Sequence, residues 1–495
     1  MIKKITIIAF LVGILLLGSF LFEQPEAATA QANPIVYNLY ATDGYVTLAD
    51  GTVSYIYGFI GGRQNTTIQY LDRVGALKSV ALPDPTGGPI TAAELPLAGN
   101  AQFPAPVIYA STGDVVEIRL KNLGVTTRSA PNDPHTIHLH GLDVEAANDG
   151  VPETSVAAVP ANLKKTPGAG NVVVYMFAPT HPGTYMYHCH QEASIHVQMG
   201  MYGALVVYNP TDAAADTGPG SGAGGDLFGW TYTKDYILML TEFDLGQHQA
   251  EENGGPFNPV NYQPQYWFIN GLSFPNTIHA GLGFNWANWN AAHPGYDPFI
   301  TGSVSVDNQD GTFGDRVLLR VINLGFETQP MHMHGFHGKI IGSDQRAWPW
   351  ANEAGVTPSG QGLEKNTLTI GSGETYEWLI DFSQQSLNWN YDKATNGTTA
   401  TYEGGTQTRY DPISNRPLSN TDLDSPAIPD MFAPGFAYVG GPVVGPDGSQ
   451  GTGGLPPELP VVTGQFFPFH NHDDYKATNN GVYPGGMFTM LLTTP

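Results

Sequence analysis

Cysteine is almost missing from this chain: Cys189 is the single one among 495 residues. A disulfide needs two, so none staples the fold. Charge is thin as well. Charged residues make up 13% of the chain, with 20 Lys and Arg against 44 Asp and Glu, for a formal balance of −24. That sign and size exclude nucleic acid and an anionic membrane surface as partners and suit a soluble exported protein. Long apolar runs are absent after the first one, where Met1-Ile2-Lys3-Lys4 leads into Ile5 to Phe22 and then small residues up to Ala32. Residues 1–32 read as a signal peptide, cleaved after Ala30 or Ala32, with an uncleaved membrane anchor as the alternative. The protein is therefore placed outside the cytosol: secreted, periplasmic or on the cell surface. What is plentiful is glycine (60) and proline (39), alongside 41% apolar and 11% aromatic residues. This suits a turn-rich all-β protein of two or three domains with a large core.

An exported unpaired thiol is an oxidation liability unless something holds it. Around it the chain reads Tyr187-His188-Cys189-His190 and continues through His196, Met199 and Met201. Thiolate, imidazole and thioether on one short loop are the ligand types of a blue electron-transfer copper, which takes two His, one Cys and a long axial Met. Met201 leads straight into an apolar strand and is the preferred axial candidate, Met199 the other. His188 and His190 point elsewhere and are free for other metal ions.

The chain also contains itself twice. Gly113-Asp114-Val115-Val116-Glu117-Ile118-Arg119-Leu120-Lys121-Asn122-Leu123-Gly124 recurs from Gly314 to Gly325 with seven of twelve positions identical. Val116, Ile118 and Leu120 alternate with Glu117, Arg119 and Lys121, the mark of a half-buried strand. Each copy then carries His-x-His-Gly, at His138 to Gly141 and His332 to Gly335, and a later doublet, His188/His190 or His470/His472. Two homologous β-domains follow, at 33–210 and 227–495, joined by a Gly/Ala/Pro-rich linker at 211–226. The later doublet lies much farther on in the second copy (332 to 470) than in the first (138 to 188), and the excess is a loop-rich insertion at about 388–460.

Chance predicts about half a His-x-His doublet at this His content, and there are four. On an extended strand, residues i and i+2 share a face, so each doublet sets two imidazoles side by side. Two doublets per domain give a four-His wall, and two facing walls give an eight-imidazole cage suited to Cu, Zn, Fe or Ni. Aligning the copies places Gln329 opposite His135, Asn471 opposite Cys189, and Thr478 or a near neighbour opposite His196. The second copy keeps its doublets and loses every electron-entry ligand, so His135, Cys189 and His196 serve one site.

Together, His135-x-x-His138-x-His140, His188-Cys189-His190-x5-His196-x4-Met201, His332-x-His334 and His470-x-His472 resemble the multicopper oxidases built from cupredoxin domains. The resemblance covers the chain from about Pro34 to its end and implies two cupredoxin-like Greek-key β-sandwich or barrel domains. It implies a type 1 copper at His135, Cys189, His196 and Met201. It further implies a trinuclear copper cluster at His138, His140, His188, His190, His332, His334, His470 and His472, and about four coppers per chain. Donors would give electrons one at a time near an exposed ligand edge, His196 being the candidate, and O₂ would be reduced to water at the cluster. The donor would be a phenol, a metal ion such as Cu(I), Fe(II) or Mn(II), or a small redox protein. The family pattern H-x-H-G-x7-D-G falls on Asp149, which the resemblance assigns to proton delivery. With the type 1 site in the first unit, the layout is similar to that of two-domain laccases. In those proteins the cluster forms between domain 1 of one chain and domain 2 of the next, which implies a homotrimer. The rival readings are a copper nitrite reductase and a copper-binding surface or electron-transfer protein without turnover.

Overall fold

The computed structural model describes residues 33–494 except 128, 164, 282, 304–313, 349–362, 383–388, 392–398, 403–404, 409–442, 445–449 and 452–464. The signal-peptide segment and most of the expected insertion lie outside the described residues. Strand outweighs helix, 42% to 11%, in line with the all-β expectation.

The first half is two facing sheets. One runs Val53–Arg63, Ile35–Thr47, Val116–Gly124, Val172–Phe177; the other runs Ile108–Ser111, Tyr202–Tyr208, Gly183–His188, His138–His140. Ile35–Thr47 lies parallel to Val116–Gly124, and Tyr202–Tyr208 parallel to Ile108–Ser111; the other pairings are antiparallel. The second half repeats the scheme. Tyr266–Ile269, Lys234–Phe243, Arg316–Asn323 and Thr375–Asp381 form one sheet core, with Gly338–Ser343 beyond it. Ile300–Ser303, Phe488–Thr494, Gln465–Asn471, Gln329–Met333 and Thr367–Ile370 form the other sheet. Both repeated segments read from the sequence are thus an interior strand of the first sheet in their half.

Alternation holds along Val116–Gly124 up to Leu120 and then stops, because Lys121 is buried. Its ammonium sits 2.6 Å from the Glu94 carboxylate, itself fully buried, and that partner removes the cost of an unpaired charge in the core. Between the halves one apolar core is shared: Ile56, Phe103, Met186 and Val206 pack with Ile237, Met239, Phe243 and Phe268. Segment 211–226 is more tied down than its composition suggests. It carries the helical turn Ala214–Thr217, and the Asp212 carboxylate accepts from the Asn209 and Asp226 amides.

A polar cluster pins the strand that ends at His188. The buried Arg320 guanidinium pairs with Asp235 at 2.7 Å, and Asp235 also accepts from the Tyr208 hydroxyl. Thr184, on the His188 strand, donates its amide to Glu377 at 3.0 Å. Glu377 is fully buried, and burial pushes its carboxyl up to about 7 against the pull of the Thr184 amide and Arg320. A carboxyl raised in the folded state stabilises the fold fully below its unfolded value, and that contribution is lost as pH rises through the folded value. Glu377→Gln, neutral at every pH, is therefore expected to match the wild type near pH 4 and to exceed it by up to roughly 3 kcal/mol near pH 8. Thermal unfolding of both proteins across that range checks this; parallel curves would contradict it.

Candidate metal centre

Cys189 leaves the Gly183–His188 strand with its amide donating to the Met201 carbonyl at 3.0 Å, and the Met201 amide donates to the His196 carbonyl at 3.0 Å. The loop between them closes through the helical turn Ala193–His196 and Gly200. Gly200 has φ +112, and a Cβ there would lie 2.9 Å from the Tyr57 carbonyl, so only glycine fits. His135 is held by a two-way bridge to Ala158. The result brings Cys189 Sγ to 3.3 Å from His196 Nδ1 and 3.8 Å from His135 Nδ1, with the Thr136 amide donating to the sulfur at 3.5 Å. All three ligand atoms lie within 4.8 Å of one another and all three residues are buried. A soft thiol and two ring nitrogens converging in the core fit a copper ion.

His196 is not the exposed edge expected from the sequence: its side chain is 1% exposed. The helix Leu245–Glu252 from the second half covers this loop, with His248 bonded to the Tyr55 and Gln198 carbonyls and Gln247 donating to the Ser194 carbonyl. The Tyr57 ring stands edge-on against His196, at 5.7 Å between centroids. Asp133 and Glu192 approach the same imidazole, so the polar surface near the ligand belongs to them. Burial opposes charge on His196, yet Cys189 and Asp133 push it up to about 10; burial holds His135 well below the usual imidazole range.

The first-half wall forms as the doublet spacing requires. His138 pairs with His188 across the Gly183–His188 strand. Ring centroids of His138 lie 5.4, 5.0 and 5.2 Å from those of His140, His188 and His190. His188 Nδ1 donates to the Cys189 carbonyl at 3.0 Å, leaving Nε2 toward the wall, and burial lowers this ring to about 3. A neutral imidazole is the form that binds metal. His138 Nδ1 donates to the Asp149 carbonyl at 2.7 Å, and an Asp149 carboxylate oxygen lies 3.2 Å from the same nitrogen. Asp149 thus sits behind His138, fixing its orientation. A Cβ on Gly150 would run into the Ile137 carbonyl, so the Asp-Gly pair of the motif lets this loop lie on the histidine strand. The His140 Nδ1 is buried with no hydrogen-bond partner.

The second half repeats this geometry. His332 pairs with His470 in the same register, and His470 Nδ1 donates to the Asn471 carbonyl at 2.9 Å, as His188 does to Cys189. His332 holds its ring through Thr367, and its centroid lies 4.8, 5.8 and 5.1 Å from those of His334, His470 and His472. Burial and neighbouring rings lower His332, His334 and His470. His334 and His472 are exposed. Among the described residues no ring of one wall touches a ring of the other. In this chain His140 instead faces Gly373 from the second half.

The structure also explains the missing ligands. Asn471 donates its amide nitrogen to the Gln329 side chain at 2.7 Å and toward Met487 Sδ at 3.4 Å. Its backbone donates to the Met487 carbonyl, and Met487 donates to the Lys476 carbonyl, copying the Cys189–Met201–His196 pattern. Lys476, rather than Thr478, therefore occupies the His196 position, and its ammonium lies 3.3 Å from Gln329 Oε1. An ammonium and two amides stand where the first half has a thiol and two imidazoles. Met487, with its sulfur toward the Cys189 counterpart, aligns with Met201 and not with Met199. Lys476, Asp133 and Thr367 were missed in the sequence because their roles arise from long-range packing, whereas Glu192 comes beside His196 through the helical turn they share.

A family model described as multicopper oxidase matches residues 77–211 and 290–392. Dihydrogeodin oxidase of Aspergillus terreus is 32% identical over 300 residues, 59% of this chain and 40% of that protein. Copper resistance protein A of Escherichia coli is 23% identical over 381 residues, 71% of this chain and 52% of that protein. The chain spans about half the length of the curated relatives it matches. Blue copper oxidase from Nitrosomonas europaea shares the fold, with TM-score 0.50 and 19% identity, covering 92% of this chain and 85% of that one. Cupredoxin-like sandwiches, paired histidine doublets and the matched family model lead to one statement: over residues 77–211 and 290–392 the chain carries multicopper oxidase family sequence.

Proposed function

We propose that the protein is an exported oxidase that takes single electrons at a type 1 copper held by His135, Cys189, His196 and Met201 and reduces O₂ to water at a trinuclear cluster. The cluster would be held by His138, His140, His188 and His190 of one copy and His332, His334, His470 and His472 of another. When bound, copper supplies the one-electron acceptor and the dioxygen-reducing centre. The chain supplies the rest. Cys189 is covalently joined to both His188 and His190, and the His188–Cys189 hydrogen bond adds a second short link between the two ligand sets. Asp149 orients His138, and its carboxylate, 31% exposed, stands between that ring and solvent, where it can hand on protons.

The observation that carries this reading is the equal register of the two walls, His138 opposite His188 and His332 opposite His470. Each wall presents half a cage, and the exposed imidazoles of the second wall suit contact with another copy. A head-to-tail contact of this kind can close into a ring, and the resemblance to two-domain laccases makes that ring a homotrimer. The donor class extends to phenols, metal ions and small redox proteins, and the 1–32 segment supports export. Copper loading tests the reading: about four coppers per chain, a blue absorption and donor-driven O₂ uptake are expected. Two coppers per chain with nitrite consumption would make it a nitrite reductase, and blue copper without turnover would make it a carrier.

A further inference from the structure

A lysine is costly to bury, and Lys476 is only 3% exposed. Its ammonium sits among oxygens. It donates to the Thr328 carbonyl at 2.8 Å and to Gln329 Oε1 at 3.3 Å, and the carboxylates of Glu327 and Asp473 lie 3.3 and 3.4 Å away. Glu327, Thr328 and Gln329 stand at the start of the strand that carries His332, and Asp473 directly follows His472. One cation thus ties the start of one histidine strand to the loop that leaves the other.

The first half makes the same tie with metal ligands. His135 precedes His138 by the spacing at which Gln329 precedes His332, and Cys189 and His196 follow His188 as Asn471 and Lys476 follow His470. Each exchange in the second half suits an ammonium and not a copper ion. Gln329 turns its oxygen toward the cation, because its Nε2 donates to Glu242 at 3.0 Å and its Oε1 also accepts from Asn471 at 2.7 Å. Asn471 is neutral where a thiolate would stand. Pro330 holds the position of Thr136, whose amide donates to the Cys189 sulfur at 3.5 Å, and proline has no amide proton to give. The same loop sets the wall. The His472 amide donates to the Pro330 carbonyl at 2.7 Å, and His470 Nδ1 donates to the Asn471 carbonyl at 2.9 Å.

Resting on the oxidase reading above for what the wall does, we propose that Lys476 is the positioning residue of the second wall. Its ammonium holds His332, His470 and His472 in register through the tie that a type 1 copper would make in the first half. The second wall is thereby shaped before any copper is bound.

Two arms test this. In the copper-free full chain, Lys476→Met keeps a long side chain and loses the charge. Hydrogen exchange at the amides of Asn471, His472 and Met487 should speed up about tenfold or more, while the amides of Cys189 and Met201 keep their rates. Loaded with copper, the variant should keep its blue band and yield its other coppers to a chelator about tenfold more readily. The second arm puts a metal where the ammonium was. Gln329→His/Asn471→Cys/Lys476→His, built into the Cys189→Ser chain, should take up copper with a new blue absorption and regain the wild-type resistance of the remaining coppers to the chelator. Unchanged exchange in Lys476→Met overturns the positioning role, and a rebuilt chain that stays colourless overturns the equivalence of ammonium and metal. Should Lys476→Met fail to fold, the rebuilt chain decides alone. Exchange that speeds up as expected, in a protein whose wild type consumes no O₂, keeps the positioning role and sinks the oxidase reading.

Discussion

Cys189→Ser is expected to abolish the blue absorption and to cut donor-driven O₂ uptake by more than about a thousandfold. Serine keeps the volume and the buried position but offers a hydroxyl that stays protonated where the thiol would ionise onto copper. The sulfur also joins the copper, through Cβ and Cα of the same residue, to the main chain that carries His188 and His190, so its loss removes both the acceptor and its covalent link to the cluster. The two walls do not use the sulfur, so their histidines keep their geometry. About three coppers per chain should therefore remain. Metal analysis, visible absorption and oxygen electrode rates on one preparation check this together. A variant that keeps the blue band would show that Cys189 is not the ligand.

His470→Ala is expected to do the reverse. The blue band stays, since the Cys189 site shares no residue with the second wall, while O₂ uptake falls by more than about a hundredfold. His470 stands opposite His332 in the strand register and 3.1 Å from His334 across their Nε2 atoms, so its removal opens the wall at its centre. The imidazole also stacks on Phe488, so a stability loss of about 1 to 2 kcal/mol accompanies the change. His470→Gln, which keeps more of that volume, should recover the stability and not the activity. Anaerobic donor bleaching of the blue band in His470→Ala should run at the wild-type rate; a slowed rate would tie the second wall to electron entry.

The histidine doublets were legible because a strand puts i and i+2 on one face, and nothing distant can change that. The pairing of His138 with His188 and of His332 with His470 follows from the same rule applied to two neighbouring strands. Features that depend on contacts across the chain were not legible. Lys121 reads as a solvent-facing residue until Glu94 comes to lie beside it. His196 reads as an exposed edge until the helix Leu245–Glu252, far along the chain, folds over its loop. Lys476 could not be matched to His196 by counting, because the two loops differ in length; the shared backbone hydrogen bonds to Met201 and Met487 identify it.

Subunit mixing tests most directly whether the first wall of one copy completes the second wall of another. Two inactive variants are made, His138→Ala/His140→Ala and His332→Ala/His470→Ala, and each alone should reduce no O₂. Unfolded together in equal amounts and refolded with copper, they should regain about a quarter of wild-type O₂ uptake per chain, because a random head-to-tail ring pairs two intact walls at one contact in four. Mixtures as inactive as the separate variants, from rings shown to contain both chains, would contradict the shared cluster.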